Sequence, residues 1–209
     1  MTLHFTNSNA PIPLADELKS TFHIIAPANT DIWAKPPNTV RFNAPYLHRI
    51  DAMTRFRRAR VHVKGEWGLL YDQGGLLITM HDVSGSCERK WVKTGIEFVN
   101  GKPHVSTVAK DKWADWSLLP VPESNVAAGG PDGKDIGVTV EMVREQDGSL
   151  WIYLIDAEGV KTPIREVTWA FEKEDMVDCW IGVYAARPNK NTTEMLEVKF
   201  SQWELDIAD

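Results

Sequence analysis

The chain has 209 residues, 43% hydrophobic and 25% charged, the mix of a folded globular protein rather than a disordered one. A formal net charge of −6 argues against a general nucleic-acid binder, which carries a basic balance. No apolar run reaches membrane-span length, so no membrane helix is expected, and the first twenty residues lack the basic-then-apolar order of a signal peptide.

Predicted elements are short. Helical periodicity is confined to residues 14–21 and 171–177. β-like runs fall at 22–25, 41–43, 59–64, 69–79, 90–98, 104–109, 136–144, 150–155, 164–170, 179–186 and 196–205, separated by Gly, Pro, Asn and Asp. This pattern predicts an all-β sandwich or barrel. One domain over residues 1–209 is expected, with 1–20 as an N-terminal extension packed on the outside.

In chain order, the first candidate is the aromatic-plus-charge loop 30–37 (TDIWAKPP), where Trp33 is a candidate platform for a sugar or other planar ligand. Nine tryptophans against four tyrosines make such platforms a feature of the composition, beside ordinary core packing. In the basic run 55–60, Arg58 and Arg60 are expected on one face with Phe56 and His62, while Val61 and Val63 point to the core. That face is either solvated or an anion-binding patch for an acidic protein partner. Tyr71 and Gln73 share a face ahead of Gly74-Gly75, a pair that marks a bulge or leaves room for a ligand.

Residues 91–106, WVKTGIEFVNGKPHVS, read as a hairpin closed by Asn100-Gly101. Glu97 then faces His104, Gly95 faces Ser106 and Lys93 faces Val108, with a mostly apolar second face turned to the core. The polar row is either a solvated face or a ligand row with its gap at Gly95. A second hairpin at Asp147-Gly148 places Arg144 against Trp151 as a cation–π pair. Trp113 and Trp116 stand in a loop-like stretch, and Trp116 is the second platform candidate. Residues 120–134 form the longest loop signal.

Cys87 and Cys179 are too few for a disulfide framework, and two thiols in a reducing cytoplasm are expected. No nucleophile elbow, phosphate loop, dinucleotide fingerprint, His-Glu-x-x-His or Cys-x-x-Cys motif is present, so neither cofactor nor metal is expected.

The motifs at Thr30–Trp33, 71–76, 91–98, 100–106, 115–117, 181–188 and 198–200 together resemble one family. It is the concanavalin-A-like family of unknown function that includes the fungal "regulation of enolase" proteins. The resemblance implies a jelly-roll sandwich of two curved antiparallel sheets. It also implies a concave face carrying Tyr71, Gln73, Lys93, Glu97 and His104, where members of that superfamily commonly bind carbohydrate, and a cytosolic role in regulating sugar metabolism.

Three functions follow as expectations. The first is a binding protein for a carbohydrate or related small polar metabolite, with Trp33 and Trp116 stacking and Tyr71, Gln73, Lys93, Glu97, His104 and Ser106 making polar contacts. The second is an enzyme on the same scaffold, a lyase, glycoside hydrolase or isomerase, in which Glu97 and His104 serve as acid and base. The third is a protein-interaction module using Arg58 and Arg60.

Overall fold

The computed structural model describes residues 2–82, 89–129 and 135–209. The strands in chain order are β1 (His4–Thr6), β2 (Thr21–Ala26), β3 (Ile32–Lys35), β4 (Thr39–Phe42), β5 (Tyr46–Ala52), β6 (Phe56–Glu66), β7 (Gln73–Asp82) and β8 (Lys90–Val99). They continue with β9 (Lys102–Lys110), β10 (Ala114–Pro120), β11 (Asp135–Arg144), β12 (Leu150–Ile155), β13 (Lys161–Val167), β14 (Val177–Ala186) and β15 (Leu196–Ile207). The helices among the described residues are short: α1 (Ala15–Lys19), α2 (Glu123–Ala127), and single 3₁₀ turns at Met53–Arg55 and Glu174–Met176. α2 occupies part of the predicted loop 120–134, and residues 130–134 of that loop lie outside the described residues.

Seven strands form an antiparallel sheet in the order β1-β5-β14-β7-β8-β9-β10, and six form a second, β13-β12-β11-β6-β15-β2. The sheets pack face to face, with Leu76, Ile78, Val92, Ile96 and Ile181 of the first meeting Val61, Val63, Val140 and Phe200 of the second in one apolar cluster. β2 shows the pattern expected of a one-sided strand: Phe22, Ile24 and Ala26 are buried and their neighbours exposed.

The seven-stranded sheet is covered on its other face too. The β3–β4 hairpin lies across it, and Ile32 and Ala44 bury against Tyr46, Leu77, Trp91, Val108 and Tyr184. β8 is therefore buried along nearly its whole length, on both sides. This overturns the solvated reading of the polar row, since Lys93 is 2% and Glu97 5% exposed.

The Asn100-Gly101 hairpin has the expected register, with Glu97 opposite His104, Gly95 opposite Ser106 and Lys93 opposite Val108. Gly95 also faces Gly75 across the β7–β8 pair. A Cβ on Gly75 would stand 2.0 Å from the Thr94 oxygen, and one on Gly95 would stand 2.1 Å from the Gly74 oxygen. Close approach of two strands is what requires these glycines, rather than a gap left for a ligand.

The second hairpin is shifted by one residue from expectation. Arg144 lies opposite Leu150, and Val143 opposite Trp151. The connection has three residues, closed by Glu145 N–H to Ser149 O (3.0 Å) with Gly148 at φ 82°. Arg144 consequently misses Trp151, pairs with Glu174, and stacks 4.6 Å from the Phe171 ring centre. Phe56 also departs from its expected face. A register irregularity beside Ile207, its partner on β15, turns it into the core. Cys179 is a buried free thiol, and Cys87 lies outside the described residues.

The turn leading into β7 is built on a buried ion pair. Asp72 takes hydrogen bonds from Arg187 Nε (2.8 Å) and Nη2 (2.7 Å), and from the Gly68 and Leu69 N–H groups. The two side chains are 0% and 6% exposed. This bidentate pair ties the start of β7 to the end of β14. Asp72→Asn leaves the buried guanidinium unpaired, and is expected to lower the unfolding free energy by about 3–5 kcal/mol. Urea unfolding measures it, and a loss below about 1 kcal/mol, the range of an exposed pair, would contradict the assignment.

At the other end of the covered face, Tyr46, His48, Trp180 and His81 stack in series, with ring centres 4.6, 4.5 and 4.1 Å apart. Burial lowers the pKa of His48 and His81 to about 4, helped for His48 by His4 and His81 and for both by Arg89. Unfolded, these rings protonate near 6.5. Their contribution to stability is thus present above about pH 6.5 and lost as pH falls toward 4, because the unfolded chain binds protons first. The melting temperature is expected to fall across that window, and to fall less in His81→Gln. An equal slope in the variant would count against the assignment to His81.

Candidate functional site

One cavity of about 330 Å³ opens where the β3–β4 hairpin meets the seven-stranded sheet. Asp31, Trp33, Lys35, Tyr71, Gln73, Glu97 and Trp116 line it. They arrive from five parts of the chain: Asp31, Trp33 and Lys35 from β3 and its approach, Tyr71 from the turn before β7, Gln73 from β7, Glu97 from β8 and Trp116 from β10. Tyr71 holds φ at 68°, with its N–H bonded to Phe98 O (2.8 Å), so the turn aims its ring at the cavity mouth.

The walls are aromatic. Trp33 meets Trp116 edge to face at 5.9 Å, and Tyr71 meets Trp116 at 6.1 Å and 71°. Such contacts fix the rings relative to one another while leaving faces free. The floor is polar. Trp116 Nε1 donates to Ser106 Oγ (3.0 Å), and Ser106 Oγ donates to Glu97 Oε2 (2.8 Å). Burial raises the Glu97 pKa, opposed by Lys93 and by the Ser106 hydrogen bond.

Gln73 is 1% exposed and serves both sides of the floor. Its Nε2 donates to Tyr71 O (3.2 Å) and Asp31 Oδ1 (3.4 Å), while its Oε1 accepts from Lys93 Nζ and from Tyr184 OH (3.3 Å). Lys93 Nζ also donates to Ile32 O of the hairpin (2.8 Å). Burial lowers the Lys93 pKa, opposed by Glu97 and Asp31. Lys93 thus lies under the cavity and holds it together, rather than lining it.

The structure gathers Trp33, Tyr71, Gln73, Glu97, Ser106 and Trp116 at one place. His104 stands beside Glu97 in register but makes its side-chain contact with Lys102 O (3.1 Å), because the Glu97 carboxylate turns to Ser106. Among the described residues His104 has no bond to Glu97, so the expected acid–base pair is not formed. Arg58 and Arg60 lie on β6 in the other sheet, away from the cavity. Arg58 is held by Glu141 (3.0 Å) and Glu204 (2.7 Å), and both acids also stand opposite Arg60 in the strand registers. Arg58 is thus neutralised within its own sheet, whereas Arg60 Nε is buried without a hydrogen-bond partner among the described residues.

Asp31 and Lys35 were missed as site residues. Both stand in the loop 30–37, but nothing in a loop reading predicts that β3 and β4 pair and fold back over the sheet. Among the described residues no group of three or more His, Cys, Asp or Glu could hold a metal ion.

Comparison with known proteins places this geometry in a family. An uncharacterized protein of Emericella nidulans is 53% identical over 199 residues, covering 95% of this chain and 92% of the relative. "Regulation of enolase protein 1" of Saccharomyces cerevisiae is 26% identical over 176 residues, covering 84% of this chain and 76% of that one. A solved structure of a functionally unknown Saccharomyces cerevisiae protein superposes with a TM-score of 0.73 at 21% identity, covering 99% of this chain and 97% of the other. The laminarinase catalytic domain of Thermotoga maritima gives 0.52 at 11% identity, covering 91% and 80%. The last two establish the fold alone, a concanavalin-A-like jelly roll of two antiparallel sheets. With a family model matching residues 8–207, the chain belongs to the family described as protein of unknown function (DUF1349).

Proposed function

We propose that the cavity binds a small carbohydrate or a related polar metabolite, and that the protein is a binding protein rather than a structural module. The observation that carries this reading is the pairing of three aromatic rings with a buried, hydrogen-bonded carboxylate in one cavity. Aromatic faces take the apolar side of a sugar ring, and Glu97, Asp31 and Gln73 suit its hydroxyls. A short ligand suits the site, since the cavity holds about 330 Å³ and the β3–β4 hairpin covers the sheet face beside it. The yeast relative's name, "Regulation of enolase protein 1", supports extending this reading to a regulatory role in sugar metabolism, which we place in the cytoplasm as part of the same proposal.

A second reading, catalysis on the same ligand, is favoured by one observation: two carboxylates, Asp31 and Glu97, line the same cavity. A buried acid with a raised pKa beside a second carboxylate is the arrangement of general acid–base chemistry. In this reading Asp31 replaces His104 as the partner of Glu97.

Thermal-shift screening against sugars, sugar acids, sugar phosphates and glycolytic metabolites, followed by mass spectrometry of each mixture, tests both readings. The binder returns its ligand unchanged, while new product mass supports catalysis. For a ligand so found, Trp33→Ala and Glu97→Gln are each expected to weaken binding about tenfold or more, by loss of a stacking face or a charge-assisted hydrogen bond. Arg58→Ala should leave the affinity unchanged. Unaltered titration calorimetry in both cavity variants would sink the proposal.

A further inference from the structure

The covered face of the seven-stranded sheet has a second polar cluster far from the cavity. Gln73 and His81 are eight residues apart on β7, roughly 26 Å along an extended strand. Around His81 stand Trp180, His48, His4 and Arg89. The Arg89 guanidinium lies 4.2 Å from the Phe42 ring centre and 5.6 Å from that of Trp180. It is partly buried, and among the described residues no carboxylate pairs with it. Asp178 stands opposite His81 in the β7–β14 register but makes no ion pair with His81 or Arg89.

This is an unusual balance. A partly desolvated guanidinium ordinarily recruits an acid, as Arg187 recruits Asp72 in this same chain. Here Arg89, His81, His48 and His4, all able to carry positive charge, converge with no anion paired to them among the described residues. The aromatic faces of Phe42 and Trp180 offset part of the desolvation, and a contact with a ring face does not use the in-plane N–H donors of a guanidinium. His81 Nε2 meets Thr79 Oγ1 (2.7 Å) and His48 Nε2 meets Thr6 Oγ1 (2.9 Å), which orients both rings. Nδ1 of His48 is buried without a partner. Burial also lowers the Arg89 pKa, the direction expected of a cation lacking a counter-ion.

We propose that Arg89 and His81, walled by Trp180, Phe42 and the His48 ring, form an oxyanion site for the phosphate or carboxylate group of a small metabolite. The guanidinium supplies charge and a two-pronged set of donors, and the His81 ring, stacked on the same Trp180 that Arg89 approaches, supplies a further N–H. The site is separate from the aromatic cavity and does not depend on what that cavity binds.

Inorganic phosphate and acetate are the probes, with chloride at matched ionic strength as control. Phosphate, acetate or both should raise the melting temperature and move the His81 ring signals in NMR titration. Whichever responds identifies the oxyanion. Arg89→Gln should weaken the response about tenfold to a hundredfold, the range for a hydrogen bond to a charged group. His81→Gln should weaken it as well, and Trp33→Ala in the other cavity should leave it unchanged. No response to either anion, or the same response in Arg89→Gln, overturns the proposal. A phosphate response without any sugar response would leave this site standing and remove the cavity reading instead.

Discussion

A single buried ammonium organises the functional face. Lys93 sits in the middle of β8 with its charge out of water, donating to the Ile32 carbonyl of the hairpin and to Gln73 on the neighbouring strand. Burying a lysine is unfavourable unless its donors are met, and here they are met by the hairpin that buries it. Pin and lid are thus mutually dependent. Without Ile32 the ammonium lacks an acceptor, and without the ammonium the hairpin loses a polar anchor. The same charge acts through space on Glu97, so one side chain fixes the lid and conditions the buried acid of the cavity.

The lid also divides the face it covers. On one side of it lie three aromatic rings with Glu97 and Asp31, and on the other a stack of tyrosine, imidazole and indole rings topped by Arg89. The first side gathers carboxylates and the second gathers cationic or neutral groups. The opposite sheet shows the contrast: Arg58, Glu141, Lys161 and Glu204 answer one another across its strands.

Local features were legible in the residues and non-local ones were not. The Asn100-Gly101 turn determined the β8–β9 register, because a two-residue turn leaves no freedom in pairing. Asp147-Gly148 looked equivalent, yet it joined a three-residue connection, since Gly148 alone takes the left-handed position. β5 escaped notice because YLHRIDA breaks alternation where it is covered on both faces. β3, read as a loop, is a strand only by virtue of pairing with β4. Glu97 and Trp33 could be picked out as chemistry-bearing residues. That the lid would bury Lys93 beneath the cavity, and that Ser106 rather than His104 would reach Glu97, depends on contacts between segments distant in sequence.

The cavity is assembled from parts of unequal rigidity. Its floor belongs to β8 and β9, enclosed on both sides, whereas Trp33, Lys35, Tyr71 and Trp116 come from a hairpin, a turn and the edge strand β10. A substitution on the floor disturbs two packed layers at once. A substitution on the walls disturbs little beyond the cavity mouth. Divergence among relatives can therefore accumulate at the mouth while the floor stays the same, and descendants of one ancestral chain can exchange one ligand for another without having to solve the folding problem again.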